Sequence, residues 1–154
     1  MALVDLQIDL TRRRLPGFHL SESLNCRKGL TAMTHDVFIL GGKRTPMGEY
    51  VGALKDVSAI DLGATAARAA METTGVAPDE IDHTIIGNAL QTSGDAIYGA
   101  RHVALKAGVP FDRPALTVNR LCGSGTQSII SGAQMIQLDE EQVCLVGQRR
   151  LSRD

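Results

Sequence analysis

Residues Pro114 to Gln134, PALTVNRLCGSGTQSIISGAQ, hold the side chain whose surroundings point most directly to chemistry, Cys122. A short apolar run, Ala115 to Val118, has strand length and is followed by Asn119. Cys122 then falls in a glycine-rich turn, and beyond it Ile129, Ala133 and Ile136 recur at helical spacing. A cysteine at a strand-to-helix corner presents its sulfur at the mouth of a sheet. Unpaired amides of the helix's first turn, with the positive end of its dipole, favour the thiolate. Gly123 and Gly125 remove Cβ atoms that would crowd a substrate carbonyl. That is the arrangement of an activated nucleophile with a backbone donor beside it. A small buried cysteine next to an ordinary turn fits the same residues, and the window by itself leaves both readings open.

The elements that must position this corner follow from periodicity. Asp36 to Leu40 (DVFIL) is a short apolar strand, expected to stop at Gly41-Gly42. The loop after it carries Arg44, Thr45 and Pro46. It fails as a phosphate loop, because the earlier glycine is absent and no Ser or Thr directly follows Lys43. Ser58 and Asp61 form a capping signature for a helix whose Ile60, Ala64, Ala67 and Met71 line one face, with Gly75 at its end. His83 to Ala89 reads as a strand, and Ile97, Ala100, Ala104 and Ala107 as a second helix closed by Gly108. The nucleophile strand and helix come next, and Gln142 to Val146 is the last strand. The order βαβαβαβ with helix-length spacers calls for an α/β fold, its sheet mostly parallel and covered by helices on both faces. Residues 1–34 read differently: a weak apolar pattern over Leu3 to Leu10, then Arg12 to Arg14 and a polar mixture, expected to form a disordered extension.

VNRLCGSGTQS resembles the nucleophile motif of the thiolases, acyl-transferring enzymes that make or cleave 3-ketoacyl-CoA. KRTPMGEYVGALKD (Lys43 to Asp56) is similar to that family's first loop, and GNALQTSGDAIYGARHVALKAGVP (Gly87 to Pro110) to the stretch before its nucleophile. The resemblance covers roughly residues 36–147. It implies a thiolase-like amino-terminal half-domain over 35–147, incomplete, with residues 148–154 as a non-family tail. It also implies that Cys122 becomes an S-acyl cysteine and that its backbone N–H is an oxyanion donor. The general base of the family, a histidine in a Gly-His-Pro motif, its second cysteine and its Asn-Glu motif do not occur in these residues. The expectation is therefore an acyltransferase by descent whose 154-residue chain does not turn over. After Gly147 the family's further glycine and Thr-Glu pair give way to Gln148, Arg149 and Arg150, which points to a truncation or a changed reading frame. A sheet left short would bare an edge and favour association.

Composition narrows the remaining classes. Sixteen basic against seventeen acidic side chains, with no Trp, do not suggest nucleic acid or an anionic membrane as partner. No apolar run reaches the ~20 residues of a membrane span. The three cysteines, Cys26, Cys122 and Cys144, are widely spaced, which argues against a disulfide framework and for a reducing compartment. The cytoplasm is the expected location. A mitochondrial transit segment has support from the arginines and serines of the amino terminus, but Asp5, Asp9 and Glu22 count against it. His19, His35, His83 and His102 show no paired-ligand spacing with the cysteines, so no metal is expected. No cofactor is expected beyond CoA thioesters as substrates, and the resemblance implies a homo-oligomer for a full-length relative. Cys144, inside Val143-Cys144-Leu145-Val146, reads as a structural thiol. His83 and His102 read as bland side chains, and Arg101 and Lys106 as a solvated helix face rather than phosphate ligands. Two other classes stay in view. One is a non-catalytic thiolase-like binding or oligomerisation module. The other is a dinucleotide-binding unit begun by Gly123-Ser124-Gly125, against which Ser128 stands where a third glycine is needed.

Overall fold

The computed structural model describes residues 3–10, 36–49, 51–91 and 93–150. In chain order the elements are β1 (Leu3–Leu10), β2 (Phe38–Arg44), α1 (Ala59–Thr74), β3 (His83–Asn88), α2 (Gly99–Ala107), β4 (Ala115–Val118), α3 (Ser124–Gln137) and β5 (Val143–Arg150). The strands form one sheet in the order β2-β1-β5-β3-β4. β3 runs parallel to β4 and to β5, while β1 is antiparallel to both of its neighbours, β2 and β5. Four strands therefore share one direction and β1 alone opposes them. The α/β class and the mostly parallel sheet are as the spacing required.

Helices cover the two faces through different chemistry. On one face α1 and α2 pack Ile60, Ala67, Ala70, Met71, Val103 and Ala104 against Ile86, Val143 and Leu145 of the sheet. On the other, α3 sets Ile136, with Ile129 and Met135 at the margin, against Ile85, Cys144 and Val146. Alternate residues of β3 and β5 thus serve opposite cores, as the period of two demands. Each fully buried Ile or Val contributes roughly 1.5–3 kcal/mol.

α1 begins and ends where its capping residues place it. The Ser58 hydroxyl oxygen accepts from the Asp61 N–H at 3.0 Å and donates to the Asp61 carboxylate at 2.6 Å. Gly75 closes the helix in the left-handed conformation at φ 72°, its N–H on the Met71 carbonyl. The second helix starts later than its apolar pattern: Ala96–Tyr98 is a separate 3-10 turn, and Ile97 is exposed.

Three boundaries differ from expectation. β2 runs through Gly41-Gly42 to Arg44, because the pair is used for close approach and not for a turn: a Cβ on Gly41 would sit 2.9 Å from the Thr74 Cγ2 at the end of α1. β5 continues past Gly147 to Arg150, paired with β1 to its end and with β3 as far as Arg149, so residues 148–150 belong to the sheet. Leu3–Leu10 is a strand and not part of a disordered extension; the rest of that expectation, residues 11–34, lies outside the described residues. The alternation of Val4, Leu6, Ile8 and Leu10 with Asp5, Gln7 and Asp9 is a period-two pattern that the basic, polar residues after it obscure.

Candidate functional site

The corner between β4 and α3 places Cys122 two residues before the helix begins, with its side chain exposed. The backbone is forced to get there. Leu121 has φ 51°, a left-handed conformation that costs a branched side chain roughly 1–2 kcal/mol, and its side chain is 72% exposed. Nothing in the packing of Leu121 offsets that strain, so the surrounding hydrogen bonds must hold it.

Those bonds are many. The Leu121 N–H donates to Asn119 Oδ1 at 3.0 Å, and the Arg120 N–H to Ser124 Oγ at 2.9 Å. The Ser124 hydroxyl donates to the Leu121 carbonyl at 2.6 Å and is itself fully buried. Gly123 N–H and Ser124 N–H reach the carbonyls of Arg120 and Leu121. Gly125 N–H is taken by Gln148 Oε1 of β5 at 3.1 Å. The expected free amides of the first helical turn are therefore largely spent on the corner itself. Arg120 and Cys122 are themselves paired as an isolated backbone bridge within this corner, beside the exposed sulfur.

The sheet supports this corner through small residues. α3 buries Ser124, Ser128, Gly132 and Ile136, one residue per turn, against β3 and β5. The Ser128 hydroxyl bridges the carbonyls of Gly125 and Gly147 at 2.7 and 2.9 Å. A Cβ on Gly87 of β3 would lie 2.6 Å from the Ser124 carbonyl carbon and oxygen, so glycine there lets the helix start descend onto the sheet. The expected apolar face of Ile129 and Ala133 is only half-buried, because the small stripe beside it makes the closer contact.

The other titratable candidates are engaged elsewhere. His83 Nδ1 lies 3.2 Å from Glu141 Oε1, and His102 Nδ1 lies 3.5 Å from Asp95 Oδ2; neither histidine bonds to Cys122. Ser93 and, more weakly, His102 hold the Asp95 carboxyl below its ordinary range. Lys106 pairs with Asp61 at 2.5 Å. Arg101 donates to the carbonyls of Phe111 and Arg113, so it clasps a loop. Cys144 is fully buried, its Sγ 4.0 Å from the Gly132 carbonyl, in keeping with a structural thiol. Thr45 of the first loop is 5% exposed. Cys26, His19 and His35 lie outside the described residues. Among the described residues no group of three or more His, Cys, Asp or Glu side chains could hold a metal, and no helix is long and apolar enough to cross a membrane.

The sequence model of the family described as thiolase, N-terminal domain, matches residues 37–153. The chain belongs to the thiolase family. Its match extends across Gln148 and Arg149, which the sequence reading had set apart as a non-family tail. The human mitochondrial 3-ketoacyl-CoA thiolase is 53% identical over 116 residues, covering 75% of this chain and 29% of the relative. A β-ketothiolase of Cupriavidus necator is 44% identical over 115 residues, again 75% of this chain and 29% of the relative. The chain thus spans under a third of the length of these thiolases. Among solved structures, the human mitochondrial 3-ketoacyl-CoA thiolase in complex with CoA superposes with a TM-score of 0.66 at 55% identity, over 68% of this chain and 26% of that one. The Bacillus anthracis acetyl-CoA acetyltransferase gives a TM-score of 0.72 at 36% identity, over 77% of this chain and 30% of that one.

Sequence reasoning singles out Cys122 as the candidate but misses three residues that hold its corner. Gln148 falls in the expected tail, Ser128 stands where a third glycine is needed, and Gly87 is only part of a resembling stretch. Ser128 had a legible signal, since Ser124, Ser128 and Gly132 repeat every four residues. Gln148 had none, because its role depends on where β5 lies against α3.

Proposed function

We propose that this chain carries the acyl-accepting half of a thiolase, with Cys122 as the nucleophile. Its sulfur attacks the carbonyl carbon of an acyl-CoA thioester. The new S–C bond gives an S-acyl cysteine, the bond to the CoA sulfur breaks, and CoA leaves with the proton that the thiol gave up. The Cys122 N–H stabilises the oxyanion formed on the way. The observation that carries this reading is an exposed sulfur presented two residues before α3, next to a strained Leu121 in a hydrogen-bonded corner. CoA thioesters are the substrate class that the relatives' names support, and association of copies is in keeping with the apolar β2 edge, where Phe38 and Ile39 are 54% and 56% exposed.

The second half of the reaction needs a base to remove an α-proton. Among the described residues neither His83, paired with Glu141, nor His102, paired with Asp95, bonds to Cys122, so the purified chain is expected to acylate once and to release no 3-ketoacyl-CoA. The names of the mammalian relatives make the mitochondrion the compartment we favour over the cytoplasm expected from cysteine usage. Intact-mass measurement after incubation with acetyl-CoA tests the proposal. One acetyl adduct on the Cys122 peptide, absent from Cys122→Ser, is the expected result. An unmodified Cys122 in a folded chain that iodoacetamide does alkylate would overturn it. Continuous turnover lost in Cys122→Ser would overturn the single-acylation part.

A further inference from the structure

The family match begins at residue 37, yet β1, at residues 3–10, lies inside the sheet and not at its edge. It pairs with β2 on one side, Asp5 opposite Arg44 through Leu10 opposite Phe38. On the other side it pairs with β5 along its whole length, Leu3 opposite Arg150 through Leu10 opposite Val143. β2 has no other strand partner among the described residues, and β5 has only β3 besides. Without β1 the family segment is therefore a three-stranded β5-β3-β4 sheet and a lone β2. β2 and β5 run in the same direction with one strand's width between them, so what fills the space meets two backbone edges at once. Strands from elsewhere in a chain add to such edges through main-chain hydrogen bonds, with alternate residues setting specificity.

We propose that the space between β2 and β5 is a strand-accepting slot, and that this chain fills it with its own residues 3–10. The slot takes an extended segment antiparallel to both neighbours, alternating apolar and polar residues as Val4, Leu6, Ile8 and Leu10 alternate with Asp5, Gln7 and Asp9. Three observations favour this occupant. The segment has the period of a strand, it is the one strand reversed in the sheet, and α1 packs across both β1 and β2, so one helix covers donor and acceptor together. The slot is a property of the family segment; its filling by residues 3–10 is a property of this chain. The proposal does not depend on Cys122 chemistry.

A native thiol supplies the test. Asp9 is the register partner of Cys144, and facing residues of antiparallel strands have Cα atoms about 4.5–5.5 Å apart, within disulfide range. The full chain carrying Asp9→Cys with Cys26→Ser and Cys122→Ser has thiols at positions 9 and 144 only. Mild oxidation under native conditions is expected to link them, read by peptide mapping at monomer mass. A 9–144 link confined to covalent dimers would overturn the choice of the chain's own strand in favour of a second copy's. No link under conditions where both thiols are alkylated after denaturation would overturn the slot's occupancy altogether. Leu6→Pro, which removes an amide from the middle of β1, gives an independent reading by hydrogen exchange. Amides of residues 38–44, and those of β5 that face β1, are expected to lose protection while those of β3 and β4 keep theirs, and Leu6→Val is expected to leave both sets protected. A synthetic peptide of residues 1–12 added to the Leu6→Pro chain is expected to restore protection. Unchanged protection of residues 38–44 in Leu6→Pro, or failure of the peptide to restore it, would overturn the proposal.

Discussion

Two helices of this chain begin in opposite ways. α1 starts on a side-chain cap: the Ser58 oxygen takes the Asp61 amide, the Asp61 carboxylate takes the Ser58 hydroxyl, and Lys106 closes the ion pair from α2. α3 starts without a side-chain cap at Gly123. Its first-turn amide at Gly125 is held by Gln148 from another strand, and the residue two before Gly123, Leu121, is strained. Capping of the first kind consumes the donors at a helix start and gains stability. The second kind leaves a cysteine exposed at a cost in backbone energy. The comparison teaches that a helix start can be built for stability or for access, and that the neighbouring strands decide which.

The contrast can be broken from the α3 side first. Gly87→Ala puts a methyl 2.6 Å from the Ser124 backbone, which cannot swing aside as a side-chain tip would. Overpacking of this kind costs about 1–3 kcal/mol, and the upper end is expected, with Cys122 acylation falling in the folded fraction. Denaturant titration beside the mass assay checks both. Arg149→Met sharpens the contrast in the other direction. Arg149 is 2% exposed, its Nε and Nη2 have no partner among the described residues, and burial pushes its pKa down. The charge of Asp95 offsets that burial only in part, so removing the cation while keeping its aliphatic stem should stabilise the fold by about 1–3 kcal/mol, read as a raised urea midpoint. A lowered midpoint would mean the guanidinium has partners that this geometry does not show.

At the α1 start, Ser58→Ala is expected to cost about 1 kcal/mol and to leave the rate of Cys122 alkylation unchanged. The smallest effect is acid sensitivity. Lys106 first, and then Ser58, hold the Asp61 carboxyl below its ordinary 3.8. A depressed folded pKa contributes stability that is present above the unfolded value and lost as pH falls through the folded one. The pair is half-exposed, so about 0.5 kcal/mol is expected. The stability gap between the native chain and Lys106→Met should close as pH drops below about 3.8.

Much of this could be seen in the residue string, and the rest could not for identifiable reasons. α1 was legible from Ser58 to Gly75 because its cap, apolar stripe and left-handed glycine are all local. β3 and β4 were legible from their apolar runs. The corner at Cys122 was legible in outline, but not the left-handed Leu121, since nothing in a leucine announces a positive φ. Gly41-Gly42 suggested a turn because closeness to Thr74 is a tertiary fact. β1 was obscured by the arginines and polar residues that follow it, although its own alternation was clear. Gln148 and Arg149 lay in a stretch whose departure from the familiar pattern drew attention to what was missing and away from the strand they continue.

The carboxylate of Asp82, just before β3, joins three distant parts of the chain. Its Oδ2 accepts from the Gln142 and Val143 amides at 3.0 Å each, and its Oδ1 from Arg113 at 3.2 Å. Those partners lie 31 to 61 positions further along, so the clasp closes only after β3, β4 and β5 have been laid side by side. In kinetic language it is a latch set late. Asp82→Asn should quicken unfolding far more than it slows folding, and stopped-flow chevrons would show the change in the unfolding limb.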